Sequence, residues 1–172
     1  MSTPMIYLKL YVKGKPVPGD SEMADHEGQI EIESMSWDLT AEHPGMNSSQ
    51  KARTEVRPKV LKLSKFFDKS STNLCSYMAT YEPFSVATIT VLTMVLGGAK
   101  GKNLKLMTMQ LSDGHIESVD VSASESGKSM AVKETVSLSF RKCKLMYYPN
   151  DITKPGREAP TTFELEATSI GS

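Results

Sequence analysis

Apolar side chains alternate with polar ones in short segments along most of the chain, and this period of two constrains the fold more than any other feature. In Glu27–Glu33, written EGQIEIE, Ile30 and Ile32 alternate with Glu31 and Glu33. A period of two predicts a β-strand with one buried face. Val, Ile, Thr and Tyr, which favour strands, are frequent in all such segments. The pattern recurs in Met5–Val12, Val60–Leu63, Val86–Val95, Leu104–Leu111, Val119–Val121, Val136–Phe140, Lys144–Tyr148 and Thr162–Thr168.

Clusters of glycine, proline and serine separate these strands and predict turns. Seven or eight strands joined by short turns are typical of an antiparallel barrel or sandwich. We therefore expect a mainly β fold in a single domain over residues 1–172. The predicted turns are Lys13–Pro16, Pro18–Asp20, Gly97–Gly101, Ser122–Ser129, Pro149–Asp151 and Lys154–Gly156.

One short helix is expected after residue 70. Ser70–Thr72 offers hydroxyl N-caps, and Leu74, Tyr77 and Met78 have the i, i+3, i+4 spacing of an apolar helix face. Pro83 limits the helix to about 9 residues. So short a helix is expected to plug a barrel mouth or cover a sheet edge.

Composition excludes several classes of protein. Lys and Arg number 20 and Asp and Glu number 20, so a neutral chain is a poor ligand for nucleic acid or an anionic membrane. Two cysteines give no disulfide framework. The start, MSTPMIYLKLYV, has no basic region followed by a long apolar run. We therefore expect synthesis in the cytosol, no membrane insertion, and any export to use no cleaved signal peptide.

Charge is unevenly distributed along the neutral chain. Asp20–Glu42 contains eight acids and no base, whereas Lys51–Lys69 contains seven bases and two acids, for net charges of −8 and +5. The two segments could be adjacent strands joined by salt bridges. Alternatively, they could lie on opposite faces of a subunit that attracts its own copies head to tail. Between them, Thr40–Glu55 is polar and aperiodic, and a loop of that length is usually functional.

Candidate catalytic and metal-binding residues are sparse. His26, His43 and His115 are far apart and lack the paired spacing of zinc ligands. Cys75 and Cys143 are expected to be inert thiols, although either could pair with His115 as a nucleophile. The glycine-rich stretch 97–102 lacks the first glycine and the final Ser or Thr of a phosphate-binding loop. We therefore expect no enzyme activity, no cofactor and no metal site.

Four segments carry a resemblance to a known family. They are GQIEIESMSWDL at Gly28–Leu39, LSKFFDKSSTNL at Leu63–Leu74, LSDGHIESVDV at Leu111–Val121 and ETVSLSFRKCKLMYY at Glu134–Tyr148. Their order and spacing make the chain similar to the haemolysin-coregulated proteins (Hcp), which form the inner tube of type VI secretion systems. The likeness runs from about Ile6 to Pro149.

The resemblance implies a small two-sheet antiparallel β-barrel with one short helix. It implies six-membered rings that stack into a tube inside a contractile sheath, with a spike protein at the tip. Contraction would expel the tube without a cleaved signal, and small effectors would travel inside the rings. On this interpretation the chain is cytoplasmic when assembled and extracellular afterwards.

The resemblance also suggests roles for particular residues. The loop at about 40–55 would reach the next ring, with Glu42, His43, Lys51, Arg53 and Arg57 as the stacking residues. Ser34 and Ser36 would line the lumen and contact cargo. Strict alternation would place them on the side of Ile30 and Ile32, so this assignment requires a bulge or bend in the strand.

Three alternatives remain open at this point. A phage-like tail-tube protein would share the fold. A monomeric β-barrel could bind a small ligand in its interior, and oligomeric state would separate it from the tube proteins. An enzyme is the third, and no constellation of residues favours it.

Overall fold

The computed structural model describes residues 5–42, 55–58, 60–95, 102–149 and 158–167. Within these ranges the chain forms eleven strands and one helix. Every strand pairing is antiparallel, as the alternation predicts. The strands are β1 (Ile6–Val12), β2 (Lys15–Pro16), β3 (Ile30–Ile32), β4 (Ser34–Ser36), β5 (Leu39–Glu42), β6 (Glu55–Pro58), β7 (Leu61–Phe66), β8 (Phe84–Val95), β9 (Lys102–Ser126), β10 (Ser129–Tyr147) and β11 (Thr161–Glu166), and helix α1 (Ser71–Ala79) lies between β7 and β8.

Nine of the strands belong to one sheet. Its order is β2-β1-β8-β9-β10-β7-β4, with β3 beside β1 and β11 beside β10. The other two, β5 and β6, form a separate two-stranded sheet. The fold is therefore mainly β with one helix, as expected from the sequence.

The segment from Ile30 to Ser36 turns a corner in the sheet. Its first half pairs with β1 as β3, and its second half pairs with β7 as β4. A bend at Glu33 separates the two halves, and the Glu33 N–H donates to the Ser64 carbonyl. One segment thus pairs with β1 near one end of the strand order and with β7 near the other.

Strands β9 and β10 form the longest ladder in the molecule. Their register runs from the Ser126–Ser129 pair at the turn to the Met107–Tyr147 pair at the far end. The sequence predicted separate shorter strands and a loop over Ser122–Ser129, and this was wrong: the strands are continuous, and the turn consists of Gly127 and Lys128. Gly127 has a φ of +65°, which glycine adopts without steric cost.

The core lies on one side of this sheet. Leu8, Ile89, Leu111 and Leu138 are among its almost fully buried side chains, and they come from four neighbouring strands. Half-buried side chains close the edges of the cluster, among them Ile6, Met35, Trp37, Tyr77, Met78, Val119, Leu145 and Leu165.

Helix α1 packs against β9 and has nine residues. Leu74 is buried in the core, while Tyr77 and Met78 pack against its edge, so the predicted apolar face is confirmed. Ser70 is the N-cap residue, but its hydroxyl makes no capping bond to the helix, which corrects the capping prediction. Among the described residues, no helix is long and apolar enough to cross a membrane.

Candidate assembly surfaces

The first surface is a face rich in hydroxyl groups, formed by Ser34, Ser36, Ser64, Ser122 and Thr135. Ser34 lies opposite Ser64, and Ser64 lies opposite Thr135, so β4, β7 and β10 contribute adjacent members. Ser34 and Ser36 are exposed, because the bend at Glu33 reverses the side of the strand that faces the core. The bend that the sequence assignment required is therefore present. We call this surface the hydroxyl face.

A groove of about 430 Å³ crosses the hydroxyl face between Ser34 and Ser122. One wall is an ion pair in which Lys133 Nζ lies 2.9 Å from Glu33 Oε1. The same ammonium lies 4.9 Å from the centre of the Phe66 ring, a distance at which a cation and an aromatic face attract each other. The groove therefore presents small hydroxyl groups and one ion pair, with the exposed Phe66 ring beside that pair.

A buried charged cluster lies where β7, β10 and the start of α1 meet. Lys65 is 1% exposed, and its ammonium contacts Glu134 Oε1 as well as Asp68 Oδ1 at 2.9 Å and Ser71 Oγ at 3.2 Å. The Ser71 hydroxyl donates to Glu134 Oε1 at 2.7 Å. Glu134 Oε2 is buried and has no hydrogen-bond partner among the described residues. One cation thus faces two carboxylates inside the protein.

This cluster fixes the chain between β7 and α1. Asp68 Oδ1 accepts a hydrogen bond from the Ser70 N–H at 2.9 Å and another from the Ser70 hydroxyl. The Asp68 N–H donates in turn to Ser71 Oγ at 2.9 Å. The Ser70 hydroxyl is therefore turned toward Asp68. Because β10 carries Glu134, the start of the helix is tied directly to the longest ladder of the sheet.

The sequence analysis did not single out this cluster, although a signal was present. Lys65 continues the inward phase of Leu61 and Leu63, and Glu134 precedes the inward-facing Val136 and Leu138. Two opposite charges in the buried phase of paired strands indicate a buried ion pair, since an unpaired charge there would be costly.

The second surface is the arm formed by β5 and β6. Its register places Thr40 opposite Arg57 and Glu42 opposite Glu55, so the two ends of the predicted irregular segment are strands. This corrects the expectation of an aperiodic loop over the whole of Thr40–Glu55. Of the predicted stacking residues, Glu42 and Arg57 lie on the arm, whereas His43, Lys51 and Arg53 lie outside the described residues. The predicted turn at Gly97–Gly101 and most of those at 149–156 also lie outside them.

The acidic and basic segments are neighbours. β4 pairs with β7 and β5 with β6, which is the adjacent-strand alternative left open by the sequence. The placement of the two charges on opposite faces of the subunit stays a prediction, because several of the charged residues, Lys51 and Arg53 among them, lie outside the described residues. The register sets Ser36 opposite Lys62 and Glu42 opposite Glu55, so the pairing does not put acids opposite bases. An ion pair does join the segments elsewhere, with Lys69 Nζ 3.3 Å from Asp20 Oδ1.

The described histidines and cysteines lie on separate elements of the fold, with His26 in the loop before β3, His115 on β9, Cys75 on α1 and Cys143 on β10. His26 stacks on Tyr7 with ring centroids 4.5 Å apart, and His115 stacks on Tyr81 at 4.0 Å. Cys75 is half-buried on α1 and Cys143 is buried in β10, where burial raises the pKa of its thiol to about 11. Among the described residues, no group of three or more His, Cys, Asp or Glu side chains is placed to hold a metal ion.

Comparison with known proteins identifies the family. A family model described as "Type VI secretion system effector, Hcp" matches residues 7–147, which is most of the chain. The chain belongs to the Hcp family. Membership makes it a tube subunit of a type VI secretion system, and the resemblance seen in the sequence is confirmed. A search of curated protein sequences found no significant match.

Solved Hcp structures share the fold at low sequence identity. The Hcp1 protein of the E. coli EAEC 042 pathovar superposes with a TM-score of 0.73 at 18% identity, covering 97% of this chain and 100% of that one. Hcp1 from Salmonella typhimurium gives 0.69 at 22% identity, with 95% of each chain covered. The secreted protein Hcp3 from Pseudomonas aeruginosa gives 0.62 at 15% identity, covering 96% and 99%. At these identities the superpositions show that the chains share a fold.

Proposed function

We propose that six copies of this chain form a ring and that the rings stack into the inner tube of a type VI secretion system. Sheath contraction expels the tube beneath a spike protein, and small effectors travel in its lumen. The chain therefore leaves the cytoplasm without a cleaved signal peptide. The match of the Hcp family model to residues 7–147 carries this proposal. The packed core supports it over a ligand-binding barrel, because apolar side chains fill the core-facing side of the described sheet.

The first experiment is size-exclusion chromatography with light scattering, followed by negative-stain imaging. We expect six-membered rings, and tubes at high protein concentration. A chain of 18.9 kDa that stays monomeric at high concentration would contradict the proposal and favour a search for a small ligand instead.

We assign the lumen to the hydroxyl face. Its exposed serines are small, and hydroxyl groups both donate and accept hydrogen bonds, so such a wall contacts polar cargo without selecting one sign of charge. The groove beside Ser34 and the Glu33–Lys133 pair offers a shallow contact point for cargo.

Cysteine accessibility tests the lumen assignment. In a Cys75→Ser background, Ser36→Cys in assembled tubes should react with a small maleimide and resist a bulky polyethylene-glycol maleimide. Lys9→Cys, at an exposed position of β1, is the matched control and should react with both. Equal reactivity of the two positions toward the bulky reagent would place Ser36 outside the lumen.

We assign ring stacking to the arm and the loop it carries, with Glu42, His43, Lys51, Arg53 and Arg57 as contacts. The variant Lys51→Glu, Arg53→Glu, Arg57→Glu should abolish tubes and leave rings intact. Reversal of Lys9, Lys13 and Lys15 changes the net charge equally and should leave tubes in place. If tubes persisted in the first variant, the loop would not be the stacking contact.

A further inference from the structure

Two apolar patches lie at opposite ends of the β9–β10 ladder. At the turn end, Val121 is 53% exposed and Met130 is 63% exposed, and Phe67, beside Val132, is 44% exposed. At the far end, Tyr147 is 49% exposed and Phe163 is 41% exposed. We call these the turn patch (Phe67, Val121, Met130) and the rim patch (Tyr147, Phe163).

Both patches continue the core-facing side of the ladder past the ends of the core. On the turn side, Met130 is in phase with Val132 and Glu134, and Glu134 lies opposite Val121. On the rim side, Tyr147 is in phase with Leu145 and Cys143, and Leu145 lies opposite both Met109 and Phe163. The core-facing side of the ladder is therefore buried in the middle, and at each end it carries exposed apolar side chains.

Each patch is large enough to form the centre of an interface. A fully buried aromatic side chain removes about 150–250 Å² from water, so these half-exposed groups offer roughly 150–300 Å² per patch. A stable interface buries about 800 Å² on each partner, with an apolar centre and a polar rim.

The two patches are unlike and far apart. Met130 and Tyr147 lie 17 positions apart on β10, a contour of about 55 Å at ~3.3 Å per residue. A two-fold contact of one patch with itself leaves the other patch in water, and a two-fold contact of unlike patches stops at two copies, whereas the proposed ring needs two unlike surfaces on every copy. Contact between the turn patch of one copy and the rim patch of the next covers both patches on every copy once the ring closes.

We infer that the turn patch of one subunit packs against the rim patch of the next, and that this unlike pair is the contact that closes the ring. The inference rests on the proposed ring assembly and adds which surfaces of the chain meet. The partner is a second copy of this chain in head-to-tail orientation.

Complementation between two variants tests the inference. Met130→Glu disrupts the turn patch, and Tyr147→Glu disrupts the rim patch. Because both side chains are about half exposed or more, each variant monomer should stay folded, which circular dichroism checks. We expect each variant alone to lose the ring and sediment as a monomer. Their equimolar mixture should give a species of two chains and nothing larger, because one intact turn patch and one intact rim patch remain.

The outcomes separate this inference from the proposed function. Ser124→Glu, in the outward phase of the same hairpin, is the matched control and should keep the ring. Rings that persist in either variant would overturn the patch assignment and leave the tube proposal standing. A dimer of one variant by itself would show a two-fold contact and would also overturn it. A wild-type chain that is monomeric at every concentration would overturn both.

Discussion

The β9–β10 ladder contains two regions built from the same two strands with opposite surroundings. In the middle, Leu111 and Leu138 are fully buried, because the apolar core packs against this part of the ladder and α1 lies against β9. Toward the turn, residues 121–130 are all exposed, although the backbone pairing continues without interruption. Hydrogen bonding therefore sets how far the strands extend, and side-chain burial sets which part stabilises the monomer. The uncovered part is available for assembly.

The largest difference between the two regions should appear at two glycines. A Cβ on Gly114 would overlap the Ser139 carbonyl and the Phe84 ring, whereas a Cβ on Gly127 meets nothing within 4 Å. We expect Gly114→Ala to lower the free energy of unfolding by about 4 kcal/mol or more, since backbone and a buried ring must move. Gly127→Ala should cost about 1–2 kcal/mol, from its positive φ alone. Urea denaturation of both variants measures this, and equal costs would contradict the comparison.

The boundary between the regions is the Lys65–Glu134 pair. Glu134→Leu leaves Lys65 paired with Asp68 and should cost less, whereas Lys65→Met leaves the buried Glu134 carboxylate without a cation, and we expect it to destabilise the fold by about 3–5 kcal/mol. The double variant removes both charges and should recover most of that loss. A double-mutant cycle by thermal unfolding gives the coupling energy. Additive losses in the double variant would show that the pair acts only through packing.

Substituting one methionine in each region compares how much side-chain packing contributes to the free energy of unfolding there. Met109 is 0% exposed in the covered part, and Met130 is 63% exposed near the turn. Met109→Ala should cost about 2–5 kcal/mol, as expected for a cavity in a core. Met130→Ala should change the free energy of unfolding of the monomer by no more than about 0.5 kcal/mol. The measurement must use protein at concentrations where rings are dissociated, because assembly adds its own stabilisation.

The same contrast explains what the sequence could and could not predict. Strands that carry one buried face, such as β1 and β8, follow the period of two, and α1 follows its apolar spacing. Residues 121–126 of β9 have both faces in water, and their serines, followed by Gly127, suggest a loop even though Val121 and Ala123 alternate with Ser122 and Ser124. Their strand conformation depends on pairing with β10. The bend at Glu33 was deduced only because Ser34 and Ser36 had to leave the side of Ile30.

The buried charged cluster around Lys65 and Glu134 was not predicted, for a different reason. Lys65 and Glu134 are distant in the sequence, and only the register of β7 with β10 sets them opposite each other. The hydroxyls of Ser70–Thr72 predicted a helix start, and the helix is there, but the hydroxyl of Ser70 bonds to Asp68. The strand register and the contacts formed in the folded chain decide these pairings, and the local spacing of residues does not.

The smallest expected effect compares Glu31, which lies before the bend, with Glu33, which lies at the bend. Glu31 is half-buried, and its pKa is raised from 4.5 by desolvation and by the nearby charges of Asp20, Asp68 and Glu22. Glu33 is exposed and paired with Lys133. A carboxyl whose pKa is raised on folding binds its proton more tightly in the folded state, so its contribution to stability is present in acid and is lost as the pH rises through the raised pKa.

Glu31→Gln should therefore stabilise the protein at pH 7, by less than about 1 kcal/mol because the group is partly solvated and screened. The gain should shrink as the pH falls and vanish below about pH 4, where the wild-type carboxyl is protonated in both states. Glu33→Gln is the matched control, since it loses an exposed ion pair and should give no gain at pH 7. Chemical denaturation of the three proteins between pH 4 and pH 8 measures the difference. A gain for Glu31→Gln that is constant with pH would mean that the amide improves packing and that the charge of Glu31 is of no consequence.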